Sequence, residues 1–232
     1  MAAKNLLITG ASSGIGYALA TLLLKKGFTV YGLSRRDPGI DDPRFVFIPC
    51  DLGRIETIPE SLISAVPPQT EFEYLILNAG VLGKIEPIVS SRLDELKSVM
   101  DVNVWANKTV IDTLIGCGAR SRQIVAVSSG AAVNGSKGWG GYSLSKAALN
   151  MLMKLYAGEL TDTHITALAP GLVRTPMLEG ILEEVDPGQF PSVARLQAGE
   201  KRTPEEAARL LLDIFPRLFE FESGSFVDVR NL

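Results

Sequence analysis

With 232 residues, 46% of them hydrophobic and 21% charged, the sequence can bury a sizeable core, which excludes an intrinsically disordered chain. A formal charge of −3 and a pI near 5.4, with Lys and Arg scattered rather than blocked, argue against a nucleic-acid partner. No apolar run approaches the roughly 18 residues that cross a bilayer, and Met1-Ala2-Ala3-Lys4-Asn5-Leu6 leads into a strand-like segment rather than a cleavable signal, so no membrane partner and a cytoplasmic location are expected.

The apolar run 5–9 predicts a buried strand, joined by Thr9-Gly10-Ala11-Ser12-Ser13-Gly14-Ile15-Gly16 to a helix over 14–26. Glycines at that junction let the backbone turn tightly and approach a pyrophosphate at the helix N-terminus. The second strand, 29–33, ends at Ser34-Arg35-Arg36. A carboxylate there would accept from the ribose hydroxyls of NAD, whereas a hydroxyl followed by a guanidinium suits a 2′-phosphate, so NADP(H) is favoured over NAD(H). The competing reading makes Arg35 and Arg36 a solvated pair and Asp37 a displaced ribose acid. Strands over 45–48, 74–78, 123–128, 165–168 and 225–229 follow, with helices over 55–66, 91–116, 141–160 and 204–218 between them. The last helix is opened by Thr203-Pro204-Glu205-Glu206, a capping box with proline at its first position. Strands too apolar to have a wet face, alternating with amphipathic helices, predict an α/β fold. The expected architecture is one doubly wound domain over 1–232, a parallel seven-stranded sheet with helices on both faces. The densest irregular stretch, 177–202, follows the sixth strand and predicts a lid over the cleft.

Tyr142-Ser143-Leu144-Ser145-Lys146 places a phenol and an ammonium four residues apart on one helix, hence on one face. An ammonium near a phenol favours phenolate and lowers its pKa from about 10, which equips Tyr142 as a general acid/base. Ser129 ends the run Ile124-Val125-Ala126-Val127-Ser128-Ser129, at the strand end where open α/β sheets bind substrates. Cys50 and Cys117 lie in separate apolar elements as reduced thiols, and the single histidine, His164, reads as a loop residue. No His/Cys/Asp cluster has metal-ligand spacing, so no metal is expected.

The order of motifs resembles the short-chain dehydrogenase/reductases over essentially the whole chain: Thr9-Gly10-x-x-x-Gly14-Ile15-Gly16, Cys50-Asp51-Leu52, Asn78-Ala79-Gly80, Asn103, Ser129, Tyr142-x-x-x-Lys146 and Pro170-Gly171-Leu172-Val173-Arg174-Thr175. The resemblance implies a Rossmann fold in which Asp51 and Leu52 flank the adenine and Asn78, Ala79 and Gly80 support the cofactor ribose. Val173 and Thr175, next to Pro170 and Gly171, would hold the carboxamide. It also implies a catalytic tetrad of Asn103, Ser129, Tyr142 and Lys146, with Asn103 fixing a water that links Lys146 to solvent. Hydride would pass between nicotinamide C4 and a carbonyl carbon. Lys137-Gly138-Trp139, Met151-Leu152 and Ser223-Gly224-x-x-Val227-Asp228 resemble the branch holding sepiapterin reductase and the benzil reductases, which reduce dicarbonyl compounds with NADPH. By that likeness Asp228 anchors substrate, the alternative being a charge at a strand edge or subunit contact. Trp139, Met177, Leu178 and Phe190 are candidates for an apolar substrate wall. Family habit implies a homodimer or homotetramer packed through 91–116 and 141–160. Two other readings are a non-catalytic NADP-binding sensor or scaffold, whose relatives generally lose the tyrosine or lysine, and an extended-family epimerase, whose extra substrate domain has no room here.

Overall fold

A computed structural model describes residues 4–232. Strands β1 (Asn5–Thr9), β2 (Thr29–Ser34), β3 (Phe45–Pro49), β4 (Glu71–Leu77), β5 (Arg120–Val127), β6 (His164–Ala169) and β7 (Phe226–Asp228) form one sheet, all neighbours parallel, in the order β3-β2-β1-β4-β5-β6-β7. Strand order reverses direction between β1 and β4, and that switch point opens a crevice at the carboxyl ends of the strands.

Successive residues of a strand point to opposite faces, and here both faces are dry. Leu6 and Ile8 of β1 join Ile76, Val125 and Leu168 in a core with α1 (Gly14–Lys25) and α9 (Pro204–Ile214). Leu7 joins Leu75, Leu77, Ile124 and Ala126 in a second core with α2 (Ile58–Ala65), α4 (Ala106–Gly116) and α6 (Gly140–Glu159). The Thr203–Glu206 capping box forms as expected, with Glu206 N–H donating to Thr203 Oγ1 and Thr203 N–H donating to Glu206 Oε2.

Five elements depart from expectation. Strands β4 and β5 begin three residues earlier than the apolar runs do, because Glu73 at the polar end of β4 pairs with Arg122 of β5 at 2.6 Å and with Lys4 at 3.3 Å. The expected helix over 91–116 is divided into α3 (Leu93–Met100) and α4 by a wide π-type turn, Asp101–Trp105, in which Ala106 N–H bonds back to Asp101 O. The segment 177–202 is not irregular: it holds α7 (Pro176–Glu184) and α8 (Pro191–Ala198). Pro176 and Pro191 stand at first helical positions, where the missing N–H costs nothing, while Pro187 lies in the turn between the two helices. His164 is no loop residue but opens β6 opposite Gln123, its ring 4.6 Å from that of Phe219. Among the described residues, no helix is long and apolar enough to cross a membrane, and no group of three His, Cys, Asp or Glu could hold a metal.

Candidate active site

One cleft of about 600 Å3 runs across the carboxyl ends of β1, β2, β4, β5 and β6, within the size range of ligand sites. Its β1 side is built from the glycine turn. Gly10 (φ +73°) and Gly14 (φ +56°) adopt the left-handed region, and a Cβ at Gly16 would stand 2.2 Å from the Gly10 carbonyl oxygen. Only glycine allows that approach of α1 to β1. Asn78 closes the turn from β4: its Nδ2 donates to Thr9 O at 3.0 Å, while the Thr9 hydroxyl accepts the Asn78 and Ala79 N–H groups at 3.0 Å each. Gly10, Ser12, Ser13, Gly14 and Ile15 line the cleft, whereas Gly16 packs behind it.

At the end of β2, Ser34, Arg35 and Arg36 line the cleft, and among the described residues neither guanidinium is in a salt bridge. Asp37 turns away: its Oδ1 accepts Gly39 N–H at 2.8 Å, and it lies outside the cleft. Asp51 and Leu52 line the same end with Cys50, whose thiol is pushed up by burial. Both cysteines are unpaired. The donor set therefore fits a dinucleotide: open backbone at a helix N-terminus, and two guanidiniums that are in no salt bridge among the described residues.

At the centre, Ser129 follows β5 on a loop that starts α5 (Ala131–Asn134), and its Oγ accepts the Ala131 N–H at 3.1 Å. Tyr142 and Lys146 share a face of α6, with Lys146 Nζ 5.6 Å from the Tyr142 ring centroid. Lys146 is 3% exposed, donates to Val127 O at 2.8 Å, and is lowered by burial to about 8. The phenol of Tyr142 behaves contrary to expectation. Burial raises it above its ordinary value, against a smaller lowering by the Ser129 hydroxyl; the ammonium itself donates to Val127 O. A hydroxyl, a phenol and an ammonium held together in a water-poor cleft can bind and protonate a carbonyl oxygen.

Asn103 lies in the π-type turn, fully buried, and holds two segments together. Its Oδ1 accepts Val81 N–H, its Nδ2 donates to Val81 O and Ser145 Oγ, and Ser145 Oγ donates to Tyr142 O. Its own main-chain carbonyl accepts Asn107 Nδ2 at 2.8 Å. Asn103 thus ties the loop after β4 to the first turn of α6. Ser145 and Asn107 escaped the sequence reading, although both stand at helical spacing from residues it singled out.

Helices α7 and α8 pack over Tyr142 through Trp139, Leu178, Ile181, Phe190 and Val193. Trp139 Nε1 donates to Ser192 Oγ at 2.7 Å, and its ring lies 6.1 Å from that of Tyr142. Trp139, Met177 and Leu178 line the cleft, as do Pro170, Gly171, Val173 and Thr175 after β6; Phe190 is packed behind.

The family model described as short chain dehydrogenase matches residues 4–186. The chain belongs to that family. It is 28% identical to the benzil reductase ((S)-benzoin forming) of Bacillus subtilis, across 97% of this chain and 98% of the relative. It is 31% identical to the sepiapterin reductase of Bos taurus, across 95% and 92%. A solved short chain dehydrogenase family protein of Francisella tularensis superposes with a TM-score of 0.81 at 26% identity, across 98% and 97%. As a short chain dehydrogenase the protein is an oxidoreductase with a nicotinamide-cofactor fold, acting on small carbonyl or alcohol compounds.

At the β7 edge of the dehydrogenase cleft, Asp228 faces Arg230 rather than open space. Its Oδ1 accepts Arg230 N–H at 3.0 Å and Nε–H at 2.9 Å, its Oδ2 accepts Nη2–H at 2.5 Å, and these bonds hold its carboxyl below the usual range. It is Arg230 that lines the cleft. Arg230 and Arg195, which also lines it, were not singled out from sequence; the i, i+2 Asp-x-Arg spacing at the end of a strand was the available signal for the first.

Proposed function

We propose that this short chain dehydrogenase is an NADPH-dependent carbonyl reductase, reversible as an alcohol dehydrogenase, acting on a small ketone, diketone or pterin-like carbonyl. The observation that carries the reading is the convergence of Ser129, Tyr142 and Lys146 in one cleft with the Gly10–Gly16 turn and the open guanidiniums of Arg35 and Arg36. NADPH, when bound, supplies the hydride to the carbonyl carbon. Ser129 donates a hydrogen bond to the carbonyl oxygen, where negative charge develops, and Tyr142 gives that oxygen its proton. Lys146, its ammonium 5.6 Å from the Tyr142 ring centroid, holds the nicotinamide ribose. Asn103 keeps the loop after β4 and α6 in register and supports proton resupply through Lys146. Asp51, Leu52, Asn78, Ala79, Gly80, Val173 and Thr175 bind the remainder of the cofactor, and the segment 177–202 acts as a lid.

The names of the benzil and sepiapterin reductases support the dicarbonyl or pterin class. The whole chain forms one domain in this reading, and copies associate as a homodimer or homotetramer. The exposed stripe of Leu144, Met151 and Leu155 on α6, together with exposed Trp105, supports that assembly. Cofactor oxidation across a panel of aldehydes, ketones and diketones tests the activity. Turnover at least about tenfold faster with NADPH than with NADH is expected, and a preference for NADH overturns the cofactor assignment. NADPH binding with no turnover on any carbonyl favours a sensor instead.

A further inference from the structure

Past Ser129 the cleft is lined by two arginines from distant parts of the chain. Arg230 follows β7 and Arg195 sits on α8. The Asp228 side chain is 9% exposed and grips one edge of the Arg230 guanidinium through Nε and Nη2, so the planar group is fixed while its side chain stays 56% exposed. A guanidinium has five N–H donors, and among the described residues the remaining ones of Arg230 have no protein acceptor. Their location is set by Gly130: a Cβ there would stand 2.9 Å from Arg230 Nη2 and 3.8 Å from Asp228 Oδ2. The guanidinium thus lies against the residue that follows Ser129. Arg195 Nη2 donates to Ser136 Oγ at 3.2 Å, which draws α8 to the loop before α6.

Charge at this end is one-sided. Asp51 is the one carboxylate lining the cleft among the described residues, and it caps the Gly53 N–H at the opposite end. Asp228 balances Arg230, while Arg195 is in no ion pair among the described residues and leaves a net positive charge over the site. A fixed guanidinium edge, with a second guanidinium lining the same cleft, is suited to a planar, two-oxygen anion.

We propose that the β7 end of the cleft binds the carboxylate of the substrate, so that the compound reduced is a keto acid whose carboxylate lies on the open edge of Arg230, in the cleft that Arg195 also lines, and whose carbonyl reaches Ser129 and Tyr142. This rests on the carbonyl-reductase reading of the same cleft. Asp228 is then the positioning residue for Arg230.

The test uses acid and ester pairs: phenylglyoxylate with its methyl ester, and acetoacetate with its methyl ester. Esterification removes the charge and leaves the reacting carbonyl at least as electrophilic, so a preference for the acid comes from the protein. NADPH oxidation by the wild type is expected to show kcat/KM at least about tenfold higher for the acid of one pair, and Arg230→Gln to collapse that ratio toward one, mainly through the KM of the acid. Arg195→Gln lowers the same ratio by a smaller factor, and serves as the deciding variant where Arg230→Gln does not fold. Esters reduced as well as or better than their acids overturn the inference and leave the reductase reading standing. So does a wild-type acid preference that both variants keep. Where no carbonyl is turned over, the reductase reading falls by itself. Titration calorimetry of phenylglyoxylate into the NADPH-bound protein then decides: binding lost in Arg230→Gln upholds the anion site, and no binding to the wild type overturns it.

Discussion

Lys146 and Val127 are joined by one hydrogen bond, in which a nearly fully buried ammonium donates to the last carbonyl of β5 at 2.8 Å. Burial lowers this lysine from 10.5 to about 8. Between those values the unfolded chain binds more protons than the folded one, so stability rises with pH across the interval. Below about pH 8 the folded protein carries the whole cost of the buried charge, about 3 kcal/mol. In the cofactor-free protein, Lys146→Met is therefore expected to gain about 2 kcal/mol at pH 6 to 7, once the lost hydrogen bond is subtracted. The gain should vanish by about pH 10.5. Urea unfolding of both proteins across that range checks it, and a difference that does not change with pH contradicts it.

Asn103 makes three side-chain hydrogen bonds while fully buried, two to Val81 and one to Ser145. Its truncation leaves those groups without partners and frees the loop after β4 from α6. Asn103→Ala is expected to lose about 3 kcal/mol of stability. It should also lower kcat more than it raises KM, since the phenol of Tyr142 loses its register. Chemical denaturation together with steady-state kinetics measures both, and unchanged stability would show that the bridge carries no weight.

Gly138 (φ +92°) and Gly135 (φ +55°) offer a matched pair in the loop before α6. A Cβ at Gly138 would lie 2.5 Å from Phe190 Cδ1, and one at Gly135 meets nothing within 4 Å. Gly135→Ala is expected to cost about 1 kcal/mol of backbone strain. Gly138→Ala adds a further 1 to 3 kcal/mol, roughly, by forcing Phe190 off Trp139 and loosening α7 and α8. Limited proteolysis should cut 177–202 faster in Gly138→Ala alone; equal rates in both variants contradict the packing account.

Most of the fold was legible because its signals are local. Apolar runs without a wet face, glycine at the first turn and a capping box at α9 each declare themselves within a few residues. What escaped depends on contacts between distant segments. The π-type turn at Asp101–Trp105 is accompanied by the bond from Asn107 Nδ2 to the Asn103 carbonyl, a side-chain bond that helical periodicity does not register. Pro187-Gly188 and Pro191 make 177–202 irregular in the sequence, and Pro191 becomes a first helical position only once α8 has a surface in Trp139 to pack on. The spacing of Tyr142 and Lys146 was legible, but the raised phenol was not, because burial sets its direction and burial is a tertiary property. Arg230 lies two residues from an aspartate that was noticed, yet its place in the cleft depends on Gly130, which is remote in sequence.

The central claim is that Tyr142 delivers the proton in carbonyl reduction. Tyr142→Phe removes the hydroxyl and keeps the ring that packs against Trp139, so the fold and the cofactor end of the cleft are preserved. The decisive measurement is NADPH oxidation by this variant with a carbonyl that the wild type reduces, alongside NADPH binding followed by fluorescence. Loss of kcat by about a thousandfold or more, with NADPH affinity within a few fold of wild type, is the expected result. Full turnover by Tyr142→Phe would contradict the account.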